Sequence, residues 1–160
     1  MKRLLQINTV AAGGSTGKIV ESIGRMAIAD GWESWIAYGR GNPKSESNLI
    51  RIGNDADMMW HGLQTRLFDR HGLASKKATK TFIKEIKKIN PDLSHLHNIH
   101  GYYLNYPLLF KFLKEWGGPV VWTLHDCWAF TGHCTNFQNP KCDKWMCGCN
   151  KCSQPYDYPK

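Results

Sequence analysis

No cysteine occurs before Cys127, and all six fall between that residue and Cys152. Disulfides therefore cannot hold the bulk of the chain together, and at 160 residues it is long enough to bury a core without them. In a cytosolic setting a cluster of this kind favours metal binding over disulfide formation. Also missing is any run of about 18 apolar residues, which excludes a membrane-spanning helix. The opening MKRLLQINTV has two basic residues, but its apolar stretch breaks at Gln6 and Asn8. No secretory leader is read there; Met1 reads as a native start and the protein as cytoplasmic. Acidic residues are scarce relative to basic ones, 13 against 21, giving a formal net charge of +8. That balance favours anionic partners such as nucleotides, nucleic acid, sugar phosphates or a lipid surface, without choosing among them.

Two nucleotide-binding signatures are absent as well. The loop Ala11-Ala12-Gly13-Gly14-Ser15-Thr16-Gly17-Lys18 has alanine at position 12, where a P-loop needs its first glycine, and Ile19 where it needs a magnesium-binding hydroxyl. The same glycines read GGxxG, not GxGxxG, and Tyr38-Gly39-Arg40 stands where a dinucleotide fold places an acidic residue. An NTPase and an ordinary dinucleotide oxidoreductase are both disfavoured.

What is present is an alternation of strands and helices. Lys2 to Ile7 reads as a buried strand, and Ile19, Ile23, Met26 and Ala27 recur at helical spacing before Gly31. Trp32 to Tyr38 and Leu49 to Ile52 read as strands. A helix between Asp55 and Gly72 is expected to turn Met58, Met59, Leu63, Leu67 and Phe68 inward. From Lys76 to Ile89, Phe82, Ile83, Ile86 and Ile89 share one helical face, while Lys76, Lys80, Lys84, Lys87 and Lys88 share the other. That basic face is by default solvated, and it could also rest on anionic phospholipid. Leu93 to His97 is the next strand, a helix carries Leu108, Leu109, Phe112, Leu113 and Trp116, and Pro119 to Leu124 is a fully apolar strand. The fold class expected is α/β, a Rossmann-like doubly wound parallel sheet over 1–126, with an irregular cysteine-rich loop over 127–160 as part of the same domain.

In such a sheet ligands sit at the carboxyl ends of the strands, where the strand order switches. Gly13 and Gly14 follow the first strand, at a helix start that favours phosphate, with Lys18 as a nearby cation. His97, Asn98 and His100 follow the fourth strand and should face the same crevice, whereas His95 reads as a core residue. His125 and Asp126 follow the fifth, where a histidine and an acid can orient substrate hydroxyls or manage a proton. Among Cys134, Cys142, Cys147, Cys149 and Cys152, with a CxxC at 149–152, a structural zinc is the preferred reading over disulfides or unligated thiols.

The stretches LLQINTVAAGGSTGKI, HLHNIHGYYLNYPLLFKFL and TLHDCWAFTGHC, with CxxW, GC and CxxC beyond them, resemble the family 4 glycosyltransferases. The likeness is greatest to the bacterial branch that builds capsules and exopolysaccharides. It covers nearly the whole chain and is most specific in HDCWAFTGHC and the cysteines. The resemblance implies the N-terminal, acceptor-side half of a two-domain GT-B enzyme that retains anomeric configuration, with no metal at the reaction centre. It implies that Gly13 and Gly14 approach the phosphates of a nucleotide-sugar donor, that His125 reaches the transferring sugar or the acceptor, and that Cys134, Cys142, Cys149 and Cys152 are the zinc ligands. The acceptor would be a glycan or a lipid-linked sugar, with peripheral contact at the inner face of the cell membrane. The donor-binding domain and its paired glutamates are not among these residues, so transfer by this chain alone is not expected. The rival reading is a basic zinc-containing module that binds nucleic acid, which the +8 charge and the CxxC would suit. Core spacing of the aromatics counts against it, and no nucleic-acid partner is expected.

Overall fold

The computed structural model of the chain describes residues 1–131, 134–138, 141–148 and 151–152. Its centre is a five-stranded sheet in the order β3-β2-β1-β4-β5, formed by β1 (Arg3–Val10), β2 (Glu33–Arg40), β3 (Asn48–Arg51), β4 (Leu93–Leu96) and β5 (Val120–Trp122). Every pairing is parallel, with Gln6 opposite both Ile36 and His95, and Leu96 opposite Trp122. This is the doubly wound, Rossmann-like arrangement expected from the alternation of elements. The order reverses between β1 and β4, so those two strands flank the switch point.

The helices cover the two faces unequally. Leu5, Ile7 and Leu96 pack against Phe82 and Ile86 of α3 (Lys76–Ile89) and Leu109, Phe112 and Leu113 of α4 (Tyr106–Trp116), forming the main core. α3 has the amphipathic form the sequence predicts: Phe82, Ile86 and Ile89 are buried and its lysines are exposed. Burying an apolar side chain of this size stabilises by about 1.5–3 kcal/mol. On the other face α1 (Gly14–Ala29) sets Val20 against Ile36 and Tyr38.

Two helices do not bury their apolar rows. In α1 the inward residues are Gly17, Val20, Glu21 and Gly24, while Ile19 and Met26 are exposed. The helix lies so close to the sheet that a Cβ on Gly24 would stand 2.5 Å from the Ser47 hydroxyl. Buried Glu21 accepts from the Ser45 hydroxyl and the Glu46 backbone, which ties the loop before β3 to the helix. In α2 (Asp55–Phe68), of the residues expected inward only Met58 packs against the core; Met59, Leu63, Leu67 and Phe68 are exposed. The inner face is instead His61, Gly62 and Thr65. Its apolar row loses to a hydrogen-bonding demand: His61 Nε2 accepts from the Gly72 N–H at 3.0 Å, and Nδ1 lies 2.7 Å from the Ser75 hydroxyl. Those bonds fix the turn between α2 and α3. β5, expected to be a fully apolar strand over 119–124, is a short edge strand with Val120 and Val121 largely exposed, because β4 alone flanks it among the described residues.

His61 is fully buried, and that burial lowers its pKa from 6.5 to about 4, against a smaller opposing pull from the Tyr102 backbone. The folded state thus holds the neutral ring where the unfolded chain would take a proton. Stability is expected to be full above pH ~6.5 and to fall as the pH drops towards about 4, by roughly 3 kcal/mol from this group. Guanidinium unfolding at stepped pH checks it: the slope should shrink in His61→Asn, and a flat profile between pH ~6.5 and ~4 would contradict the assignment.

Candidate functional site

The loops after β1, β4 and β5 leave the sheet at one edge, and buried polar side chains of β1 join two of them. Asn8 has no exposed surface. Its amide nitrogen donates to the Val10 carbonyl at 2.7 Å and lies 3.3 Å from the Thr16 hydroxyl, while its oxygen accepts from the Asn98 N–H at 3.2 Å. One side chain therefore holds both the glycine loop and the loop after β4. Thr9 adds a second tie, donating to the His100 carbonyl at 2.6 Å and lying 3.1 Å from the Asn98 carbonyl. The Tyr103 hydroxyl donates to the same Asn98 carbonyl at 2.8 Å.

Gly13 and Gly14 are exposed at the start of α1. Gly14 has φ +62°, a left-handed value that glycine tolerates, and a Cβ there would meet no heavy atom within 4 Å. The N-terminus of α1 has no side-chain cap and no acidic residue in its first turn. The Gly13 N–H is bonded to the Ala11 carbonyl, and the following N–H groups, uncapped by any side chain, lie at the positive end of the helix dipole, a disposition suited to an anion. Lys18 is exposed one turn further on.

The loops after β4 and β5 meet through histidines. His97 is 1% exposed, and its Nδ1 lies 2.9 Å from Nε2 of half-buried His125, the two rings being stacked. His97 therefore meets the opening only through His125. His95, expected in the core, is half-buried: its ring lies tilted against His97, with its Nε2 2.8 Å from the Thr123 hydroxyl. His100 Nε2 lies 2.8 Å from Asp126 Oδ2, while Asp126 Oδ1 accepts from the Trp128 N–H at 3.0 Å. Burial alone would raise the Asp126 pKa. The hydrogen bond and charge of His100, the Trp128 N–H and the nearby His125 outweigh it and hold the carboxyl below its usual value. Asp126 is thus a carboxylate with both oxygens engaged. Asn98 enters these contacts through its backbone. His100, His125, Asp126, Cys127, Thr135, Asn136 and Gln138 line an open cavity of about 500 Å³.

Beyond β5, aromatic side chains of the described residues pack on one another. Phe130, Phe137 and Trp145 have ring centroids 5.0–6.0 Å apart. Cys134, Cys142 and Cys152 are half-buried, and Cys147 is exposed. Among the described residues no three His, Cys, Asp or Glu side chains converge in a way that could hold a metal ion; Cys149 lies outside them.

Over 168 residues, 98% of this chain, the sequence is 27% identical to the "Putative colanic acid biosynthesis glycosyl transferase WcaC" of Escherichia coli (strain K12). The chain is similar to a glycosyltransferase. That agrees with the resemblance read from its residues, and the chain spans 40% of that relative's length. No family model matches the chain, and no solved structure matches it. No helix among the described residues is long and apolar enough to cross a membrane.

Gln6, Asn8 and Thr9 are parts of this edge that belong to no sequence motif. Their signal was available, because they are polar residues inside an otherwise apolar strand. Replacing Asn8 by alanine would remove the partner of the part-buried Asn98 N–H and Val10 carbonyl. Asn8→Ala is expected to lower stability in urea unfolding by about 2–3 kcal/mol, and Thr16→Val by about 1 kcal/mol or less.

Proposed function

We propose that this chain is the acceptor-side part of a retaining GT-B glycosyltransferase, which moves a sugar from a nucleotide-sugar donor to a glycan or lipid-linked acceptor in polysaccharide biosynthesis. The observation that carries the reading is the shared edge at the β1/β4 switch point, where an uncapped helix N-terminus behind Gly13 and Gly14 lies beside the loop held by the His97–His125 pair. In the reaction the bond from the sugar's anomeric carbon to the diphosphate breaks, and a bond to the acceptor hydroxyl oxygen forms on the same face. The hydroxyl proton leaves with the diphosphate. The amides at the start of α1 would stabilise charge building on that diphosphate, with Lys18 adding to the local positive field. His125 would hold a sugar hydroxyl, and Asp126, bonded to His100 and Trp128, would fix the loop that carries it. A second domain supplying the donor-nucleotide contacts belongs to this reading.

Cys134, Cys142, Cys149 and Cys152 would bind a structural zinc, with no metal at the reaction centre. The lysine face of α3 would rest on the anionic inner face of the cell membrane, in a cytoplasmic protein. The exposed Met59, Trp60, Leu63, Leu67 and Phe68 of the preceding α2 are consistent with such a surface.

In the full-length enzyme, Gly14→Val, which puts a branched side chain at φ +62°, and His125→Ala should each lower sugar transfer by at least roughly 100-fold while circular dichroism stays unchanged. Wild-type rates in both variants would refute the site. Steeply salt-dependent binding of oligonucleotides would favour the nucleic-acid module instead. For the thiols, metal analysis of the purified chain should find about one zinc, lost in Cys149→Ser; a folded, metal-free preparation would refute it.

A further inference from the structure

A line of buried polar groups runs from α1 through β1 and β4 to His125, and its partners fix where each proton sits. Gln6 has no exposed surface, and its Nε2 donates to the Val20 carbonyl at 2.9 Å. A carbonyl can only accept, so the nitrogen end of the amide belongs there and Oε1 points the other way. Oε1 lies 3.3 Å from His97 Nε2. It too can only accept, so His97 carries its proton on Nε2. Burial first, and then the neighbouring His95 and His125, push the His97 pKa down to about 3. The ring is therefore neutral in the physiological range, and its Nδ1 carries a lone pair. That lone pair is 2.9 Å from His125 Nε2, which must then donate. Each link forces the next, because at every step one partner has only one role available.

We propose that Gln6 and His97 are positioning residues that hold a proton on His125 Nε2, so that in its neutral form the ring presents Nδ1 as the acceptor for a hydroxyl of the sugar substrate. The inference rests on the reading of His125 as a sugar-facing residue. His125 lines the cavity after β5, and among the described residues no hydrogen bond engages its Nδ1. His97 is held in register for this task at its backbone as well: its N–H donates to the Ile7 carbonyl at 2.9 Å, and its carbonyl accepts from Trp122 Nε1 at 2.9 Å. The lock selects ligands by polarity, since an unprotonated Nδ1 accepts from a hydroxyl and repels a carbonyl or phosphate oxygen. A sugar hydroxyl suits it and an ionised phosphate does not, which leaves the phosphates to the glycine loop.

Two-bond proton–nitrogen correlation spectra of the chain with 15N-labelled histidine, near pH 7.5, read each tautomer directly without substrate or turnover. Wild type should show His97 and His125 both protonated at Nε2, each with a preference of about tenfold, the size expected for one net hydrogen bond. Gln6→Met removes the acceptor and frees His97 to reverse. It should raise the Nδ1–H population of His125 by about tenfold while the amide spectrum stays folded. An Nδ1–H tautomer of His125 in wild type would overturn the proposal. So would an unchanged His125 in folded Gln6→Met. Should that variant fail to fold, the wild-type tautomers decide alone. A correct tautomer pattern with undiminished transfer in His125→Ala would sink the sugar-facing reading but not the lock, so the two failures are told apart.

Discussion

At the switch point of a parallel sheet the crossover helices depart to opposite faces and leave a crevice whose backbone groups have no neighbouring strand to pair with. Here the buried amide of Asn8 resolves that problem on both sides. It gives its N–H groups to the glycine-loop side and its carbonyl to the Asn98 N–H. An amide is the one neutral side chain that can donate and accept at once in a planar fork. An aliphatic residue would leave groups of both loops unpaired in a dry environment, and an aspartate would set a charge against the Val10 carbonyl. The relative position of the α1 N-terminus and the loop after β4 depends on this contact, with Thr9 and Tyr103 reinforcing one side of it.

β1 carries two different messages on its two faces. Leu5 and Ile7 look into the α3/α4 core, while Gln6 and Asn8 alternate with them and face α1 and the crevice. A central parallel strand buried on both faces ordinarily reads as an unbroken apolar run. Interruption of such a run at alternate positions means that one face is being used for hydrogen bonding. That cost is substantial, because each buried amide must find partners for every donor it loses from water. Gln6 pairs its nitrogen with the Val20 carbonyl and its oxygen with His97, and Asn8 pairs with Val10, Thr16 and Asn98.

Much of the fold was legible because the alternation of strands and helices survives any error at their ends. The α3 helix was legible residue by residue, since its lysines and its apolar side chains separate onto opposite faces. α1 and α2 were not, and for a shared reason. Helical spacing of apolar residues identifies a helix but points inward only if nothing else claims that face. In α1 closeness to the sheet selects Gly17 and Gly24, and in α2 the turn that follows claims His61. At the site the strand-end residues were legible from topology alone. Their pairing was not, because His97 with His125 and His100 with Asp126 are separated by more than two dozen residues, and register between β4 and β5 alone brings them together. In the cysteine-rich stretch Phe130, Phe137 and Trp145 pack on one another, a contact that irregular spacing does not signal.

The treatment of the helix starts separates the chemistry of this edge from its structural upkeep. α2 closes its N-terminus with a capping box between Asn54 and Asp57 and adds Asp55, and α4 is capped by Asn105. The Ser75 hydroxyl at the start of α3 is taken by His61. Among the described residues, only α1, directly after the central strand, has a residue without a side chain at the cap and a glycine at positive φ beside it, and its first turn carries no acid. A cap there would be worth about 1 kcal/mol. Leaving it out is intelligible if the exposed amides are meant for a group that arrives from outside. A negatively charged group would gain both the free N–H donors and the helix dipole. On the other side of the crevice His125 and the His100–Asp126 pair take the place of free amides. On the proposed reading, the two halves of the edge would take two different parts of one ligand, a charged group over the glycines and a hydroxyl-rich group over His125.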